Sequence, residues 1–283
     1  ETLQNFETQL KRSDGTTVWV RDSARMVHDE NADVLYYEGA IEDITAQKQM
    51  EQLLQGLNVA AQAMQEALTS DEIFDRMSSQ LKALGLSCAV FLINEDQRTL
   101  SPRYMSYNPA VLQTVEEMTG MNAKQVSIPI QAVAEYTNAI ENRDTSFVSD
   151  SRGFIRRILP ESPEQLTDDV IEMLDAPRAI IAPLIAEERI IGMLSVHSDD
   201  LRESNKPAIT MFAHQLAGAW HRAQLYEQIA TERDRAQRYL DIAGVMLVAL
   251  DAKGRITLIN RKGCDILGCS EGDMLGKNWH GLG

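Results

Sequence analysis

Residues 178–196, RAIIAPLIAEERIIGMLSV, constrain the fold of this chain more than any other stretch. Two apolar, β-branched-rich runs, Ile180–Ile185 and Ile190–Val196, flank the polar tetrapeptide Ala186-Glu187-Glu188-Arg189, which is the pattern of a hairpin. With no polar face on either run, this is expected to be the central hairpin of a buried sheet. Pro183 has no N–H to give to a ladder and is expected at an edge or a bulge, and Gly192 is expected where something packs close to the backbone.

At 283 residues the chain exceeds one ordinary core, and we expect one whole domain with two partial ones. A hydrophobic content of 44% and a charged content of 24% are those of a soluble globular protein, and no apolar run approaches the ~20 residues of a membrane span. The formal charge of −15 is the opposite of a nucleic-acid footprint and is repelled by anionic membrane surfaces. Neither partner is expected for this segment. Cys88, Cys264 and Cys269 are too sparse for a disulfide framework, which points to a reducing cytoplasm. The pattern opens midway at Glu1 and stops midway at Gly283, as in a piece of a longer protein, and no signal peptide is visible in it.

Residues 6–44 read as a three-stranded antiparallel meander, with turns at Ser13-Asp14-Gly15 and His28–Ala32. From Ala46 the period becomes helical. Met50, Leu54, Leu57, Ala61, Met64 and Leu68 alternate spacings of four and three, as at the seam of a short parallel coiled coil between subunits; packing of the helix on its own domain is the alternative. Gly56 weakens that helix and leaves room for a shift. Thr69-Ser70-Asp71-Glu72 is a capping box that opens a further helix, with Ile73, Phe74, Met77, Leu81 and Leu84 on one face. Strands are then expected over 87–93 and 99–106, helices over 109–120 and 129–142, and a short strand at Phe147-Val148. Residues 150–175 read as a charged, proline-punctuated loop of the kind that covers a pocket. Ser204-Asn205-Lys206-Pro207 opens a long helix whose apolar face is Ile209, Phe212, Leu216, Ala219 and Ala223. Beyond Trp220, the stripe Leu225, Ile229, Ala236 and Tyr239 competes with Tyr226 and Ala230 for the seam. Strands return at Val245–Leu250 and Arg255–Ile259 around Asp251-Ala252-Lys253-Gly254.

Three resemblances follow from these residues. The hairpin with Pro before Leu-Ile, a charged turn and Ile-Gly-Met-Leu-Ser-Val resembles the last hairpin of a GAF domain, a family of small-molecule sensory and dimerisation modules. Asp14-Gly15, Trp19, Gly39 and Asp43-Ile44-Thr45 resemble the C-terminal half of a PAS domain, whose Asp-Ile-Thr triplet closes the last strand and opens the connecting helix by its capping chemistry. AGVMLVALDAKGRITLINRKGCDILGCSEGDMLGKNW resembles the start of a second PAS domain. The fold class implied is α+β, a GAF domain with a central antiparallel sheet flanked by helices, partial PAS domains at both ends and long connecting helices. Residues 1–45 are the first PAS half, 46–68 a linker helix, 55–225 the GAF domain, 226–240 a second linker helix and 241–283 the second PAS half.

That order resembles the input region of a two-component sensor histidine kinase. It implies a cytoplasmic sensory module, a parallel homodimer through 47–68 and the helix after Ser204, a small-molecule ligand, and a kinase or other output domain in the same chain. Diguanylate cyclases use the same modules and are the alternative host. No motif in this segment is catalytic: phosphoacceptor and nucleotide boxes are missing, and the thiol chemistry of reductase GAF domains needs more than Cys88. The scattered histidines show no metal-ligand spacing. A haem or redox sensor is the reading from another class, with His197 or Cys88 as ligand. The residues identify no cofactor. The default ligand site is a pocket on one sheet face, for which Phe91, Tyr104, Ser106, Met193, Ser195 and His197 are the candidates.

Overall fold

A computed structural model of the protein describes all residues except 1, 32–33, 121, 123–125, 159–167, 171, 174–176, 243 and 282–283. The described chain falls into two compact units, Glu1–Trp220 and His221–Gly283. Its class is α+β.

The first unit opens with the antiparallel sheet β1 (Thr2–Lys11), β2 (Thr17–His28) and β3 (Val34–Asp43). The β1–β2 turn forms because Asp14 accepts from the Thr16 backbone N–H at 2.8 Å and Gly15 takes φ +88°, which costs glycine nothing. Trp19 and Thr45 lock this sheet to the helix that follows. The Trp19 N–H donates to Thr45 Oγ1 and the Ile44 N–H to the Trp19 carbonyl, both at 2.9 Å. Only half of the expected capping chemistry is used. Asp43 Oδ1 accepts from the Thr45 N–H at 2.9 Å, but the N-cap position is Ile44, with no side-chain cap, because the Thr45 hydroxyl is turned back to β2. Apart from Val18, Val20 and Ile44 the sheet buries little, and Leu35, Tyr36, Tyr37 and Ile41 of β3 are exposed.

Helix α1 (Thr45–Gln65) packs on α2 (Ser70–Ala83). This corrects the uniform seam read from the sequence: Leu57, Ala61 and Met64 are buried within the chain, Met50 and Leu54 are half-buried, and Leu68 lies beyond the helix end and is exposed. Gly56 has a different reason from the one expected. A Cβ there would stand 2.4 Å from the Leu84 side chain, so the glycine lets the end of α2 pack against α1. The capping box is formed with a shifted partner: Thr69 accepts from the Glu72 N–H, and Glu72 accepts from the Leu68 N–H.

The core of this unit is a six-stranded antiparallel sheet. Its strands are β4 (Ser87–Ile93), β5 (Thr99–Met105), β6 (Ile128–Pro129), β7 (Ser146–Val148), β8 (Ala179–Ala186) and β9 (Arg189–His197), in the order β6-β5-β4-β9-β8-β7. The hairpin β8–β9 is therefore interior, as its apolar runs require. Strand β7 pairs only as far as Ile181 and a register irregularity follows Leu184, so Pro183 meets no ladder partner on that flank. A Cβ on Gly192 would stand 2.1 Å from the Phe91 carbonyl oxygen. The two-residue turn places Glu187 at φ +46° and Glu188 at φ +64°, the left-handed pair of a type I′ hairpin, which Asn-Gly would adopt with less strain. Arg143 holds it by donating to the Glu188 carbonyl at 2.6 Å.

Between β5 and β8 the chain runs through α3 (Pro109–Thr119), β6, α4 (Ala134–Asn142) and β7. The helix expected over 129–142 begins only at Ala134, because Ile128–Pro129 is taken into the sheet edge beside Thr99 and Leu100. The stretch read as a loop from 150 carries helix α5 (Ser151–Ile158), with Phe154 and Ile155 buried; residues 159–167 lie outside the described residues. Helix α6 (Lys206–Ile242) buries Ile209, Phe212, Leu216, Ala219 and Ala223 as its periodicity predicts. Further along, Leu225, Tyr226, Ile229 and Tyr239 are all exposed.

The second unit holds the end of α6, the hairpin β10 (Val248–Leu250) and β11 (Ile256–Ile259), and the short helices α7 (Arg261–Leu267) and α8 (Glu271–Met274). Asn260 is fully buried and organises it. Its Oδ1 accepts from the Leu247 and Gly263 N–H groups, both at 2.9 Å, capping α7. Its Nδ2 donates to the carbonyls of Leu240 and Val245 at 2.7 and 3.0 Å.

Two substitutions test the central hairpin. Gly192→Ala is expected to lower stability by about 3 kcal/mol, because the Phe91 backbone has nowhere to retreat inside the sheet. The double change E187N/E188G is expected to raise it by about 1 kcal/mol through relief of left-handed strain. Urea unfolding midpoints, with the slope unchanged, read both.

Candidate functional site

The six-stranded sheet has two faces of different character, and the register assigns each residue to one. Ala89 and Phe91 of β4 lie opposite Ser195 and Met193 of β9, and His197 lies two residues further on the same face. Cys88, Val90, Leu194 and Val196 point the other way, toward the face on which α2 packs. In β5 a register irregularity between the partners of Val90 and Phe91 places both Pro102 and Met105 on the Ala89 face, although they are three residues apart. The pyrrolidine ring cannot join a regular ladder, and the bulge accommodates it.

A cavity of about 120 Å³ opens on that face. Ala89, Phe91, Ser195 and His197 line it from the sheet, Val115 and Thr119 from α3, and Phe154, Ile155 and Ile158 from α5, with Tyr107 just beyond β5. Of the six candidates from the sequence, Phe91, Ser195 and His197 line this space. Met193 is fully buried in the apolar cluster on the same face. Tyr104 and Ser106 are elsewhere. Tyr104 lies opposite Val90 and stacks on Phe74 of α2 at 5.4 Å between ring centroids. Ser106 extends the ladder past the end of β5: its hydroxyl accepts from the Cys88 N–H at 2.7 Å and its own N–H donates to the Cys88 carbonyl at 2.9 Å. The bulge at Pro102 is what moved Tyr104 off the cavity face, and a proline inside a strand pattern was the signal for it. Tyr107, Phe154 and Ile155, which sequence reasoning missed, come from segments read as turn or loop.

The polar equipment is small and buried. Ser195 Oγ and His197 Nε2 are hydrogen-bonded at 2.8 Å. His197 Nδ1 is buried and has no hydrogen-bond partner among the described residues. The Tyr107 ring stands 6.0 Å from the imidazole, centroid to centroid. Burial pulls His197 down from 6.5 to about 4, since an imidazolium here would lose its hydration, so the ring is neutral at neutral pH. Burial raises the Tyr107 and Tyr136 hydroxyls above the ordinary tyrosine range. Tyr136, fully buried, packs edge-on against Phe154 at 5.7 Å.

Cys88 is on the opposite face from His197, so the two residues considered as haem or redox ligands do not share a site. Burial pushes its thiol up to about 12, against a smaller opposing effect of the Ser106 hydrogen bond. A thiol so held supplies no thiolate at neutral pH. Among the described residues, no group of three or more His, Cys, Asp or Glu side chains is placed to hold a metal ion. No described helix is long and apolar enough to cross a membrane.

Comparison with known proteins finds the following likenesses. Residues 2–46 match a PAS domain family model, and residues 235–282 match a second PAS domain model. No curated protein matches the chain. Among solved structures, the GAF domain of an Acinetobacter phosphoenolpyruvate-protein phosphotransferase is similar at 14% identity, covering 62% of this chain and 98% of its own, with a TM-score of 0.43. Residues 122 to 287 of a methyl-accepting chemotaxis protein are 18% identical over 60% of this chain and 99% of that one, also at 0.43. A free methionine-R-sulfoxide reductase from Neisseria meningitidis, in complex with its substrate, is 13% identical over 64% of this chain and 91% of its own, at 0.41.

The His197 environment has a measurable consequence. Because its folded pKa is depressed, the stability it confers is present above about 6.5 and is lost as pH falls toward about 4. Between pH 7 and pH 5 the wild type should lose about 2 kcal/mol more than His197→Phe. Urea titrations of both proteins at the two pH values measure the difference, and equal losses would place the imidazole in contact with water.

Proposed function

We propose that this chain is a sensory input segment of a signal-transduction protein: a GAF domain set between two partial PAS domains, which senses a small molecule and passes a conformational signal along α6. The observation that carries the reading is the pair of PAS matches at residues 2–46 and 235–282, on either side of a domain whose sheet bears a largely apolar cavity with a neutral, buried histidine. The hairpin pattern of residues 178–196 and the interior position of that hairpin support the GAF assignment of the middle domain. The uncovered apolar face of β3 supports reading residues 1–45 as part of a larger PAS sheet. We place the module in the cytoplasm, with an output domain of the histidine kinase kind in the same protein.

The module works as a parallel homodimer. Because Leu57, Ala61 and Met64 are committed to the chain's own core, the seam that would meet a partner is the exposed stripe Leu225, Ile229, Ala236 and Tyr239 of α6. A solvated helix of this length with that much apolar surface gains by pairing. Signal transfer then depends on the phase of the seam.

Two measurements test this. Leu225→Glu with Ile229→Glu should give monomers at tens of micromolar in sedimentation, without loss of folded structure, since both side chains are exposed; a wild type already monomeric there would remove the dimer. In the full-length protein, one residue inserted after Arg233 rotates the downstream seam by about 100° and should abolish regulation of the output, whereas seven residues nearly restore the phase and should preserve it. Equal output from the two insertions would take α6 out of the mechanism.

A further inference from the structure

Size, charge and hydrogen bonding each narrow what the cavity on the β4/β9 face can hold. Its volume, about 120 Å³, is close to that of an engineered cavity of about 150 Å³ that takes up benzene, and well below the roughly 300–1,000 Å³ of sites for drug-sized ligands. One ring fits. Nucleotides and tetrapyrroles do not. Among the described residues, none that lines the cavity is Asp, Glu, Lys or Arg, and the nearby Arg157 is already paired with Glu135 at 2.6 Å. A carboxylate placed here would be a buried charge without a counter-charge among the described residues.

His197, one of the lining residues, has an unfilled polar valence, Nδ1, buried and without a partner among the described residues. Leaving such an atom unpaired carries a desolvation cost, and a ligand that pairs it recovers that difference. Whether Nδ1 donates or accepts depends on which way the proton lies in the Ser195–His197 hydrogen bond. A hydroxyl can do either, so it satisfies both tautomers. Phe91, Tyr107 and Phe154 surround the space with rings, which favour an aromatic guest through edge and offset contacts.

We propose that this cavity binds a small, neutral, single-ring aromatic molecule bearing one hydroxyl, a simple phenol, with the hydroxyl on His197 and the ring among Phe91, Phe154 and Ile155. This deepens, and rests on, the small-molecule sensing proposed above. Tyr136, whose hydroxyl is also unpaired among the described residues, is not among the residues that line the cavity.

Calorimetric titration of the intact 283-residue chain at neutral pH with phenol, toluene, benzoate and hexanol tests the assignment. Phenol should bind about tenfold more tightly than toluene, benzoate at least a hundredfold more weakly than phenol, and hexanol more weakly than phenol. In His197→Phe, phenol and toluene should bind equally. Should that variant not fold, the ¹⁵N shift of His197 Nδ1 in the wild type serves instead, moving with phenol and not with toluene. Equal wild-type affinity for phenol and toluene overturns the assignment, as does preference for benzoate or hexanol, or no saturable binding of any of the four at millimolar concentration. The sensing role itself is judged separately by the helix-insertion experiment, whose readout needs no added ligand.

Discussion

Gly192 leaves no room for a side chain, since a Cβ there would stand 2.1 Å from the Phe91 carbonyl oxygen. Strand β9 is hydrogen-bonded on both edges, to β4 and β8, and its residues from Gly192 to His197 are buried. A strand so enclosed must satisfy its backbone wholly within the sheet. Any separation of β9 from β4 would therefore break ladder bonds with no water to replace them. This fixes the register Ala89–Ser195 and Phe91–Met193, and the register in turn decides which side chains meet in the cavity. Strain is accepted nearby to keep it: Glu187 and Glu188 sit in left-handed conformations at the hairpin turn, and Arg143, itself left-handed at φ +55°, reaches across to hold them.

How much of this was legible in the sequence depended on whether the deciding signal was local. The central hairpin, the strand at 87–93, the Thr69 cap and the apolar face of α6 from Ile209 to Ala223 are written in spacing alone, and the structure has them in place. Pairing partners are not written there. The six apolar positions of α1 fit an intermolecular seam and an intrachain contact equally well, and the presence of α2 with Leu84 against Gly56 decided for the latter over its C-terminal half. In the site, Phe91, Ser195 and His197 follow from alternation along unbroken strands. Tyr104 and Ser106 do not, because the bulge beside Pro102 reverses the alternation in the one strand where it was applied without it. Phe154 and Ile155 were hidden for another reason: helix α5 is short, and its charged residues mask these two buried apolar positions.

The chemistry of the chain is separated by location. Its acidic residues serve the surface, where ion pairs such as Arg12–Asp43 and Arg25–Glu38 are solvated and contribute little. Inside, polar groups are few, and some are paired with backbone, as Ser106 is to Cys88. His197 is one departure from that pattern among the described residues, as are Tyr136 and Ser151. A buried imidazole with one nitrogen satisfied and the other without a partner among the described residues carries a desolvation cost. The neutral state enforced by burial keeps the cavity uncharged through the physiological pH range.

The second unit solves a related problem with the opposite outcome, since every polar valence of Asn260 is used. Its carbonyl oxygen takes two N–H groups, from the strand entry at Leu247 and from the first turn of α7, while its amide gives to Val245 and to Leu240 in the last turns of α6. A helix C-terminus leaves its final carbonyls without intrahelical partners, and Asn260 supplies one of those partners from the far side of a hairpin. The end of α6 is thereby fixed to β11 and α7 through the buried Asn260 side chain. At Leu240 a turn of the helix would either carry the hairpin with it or break the bond to Asn260.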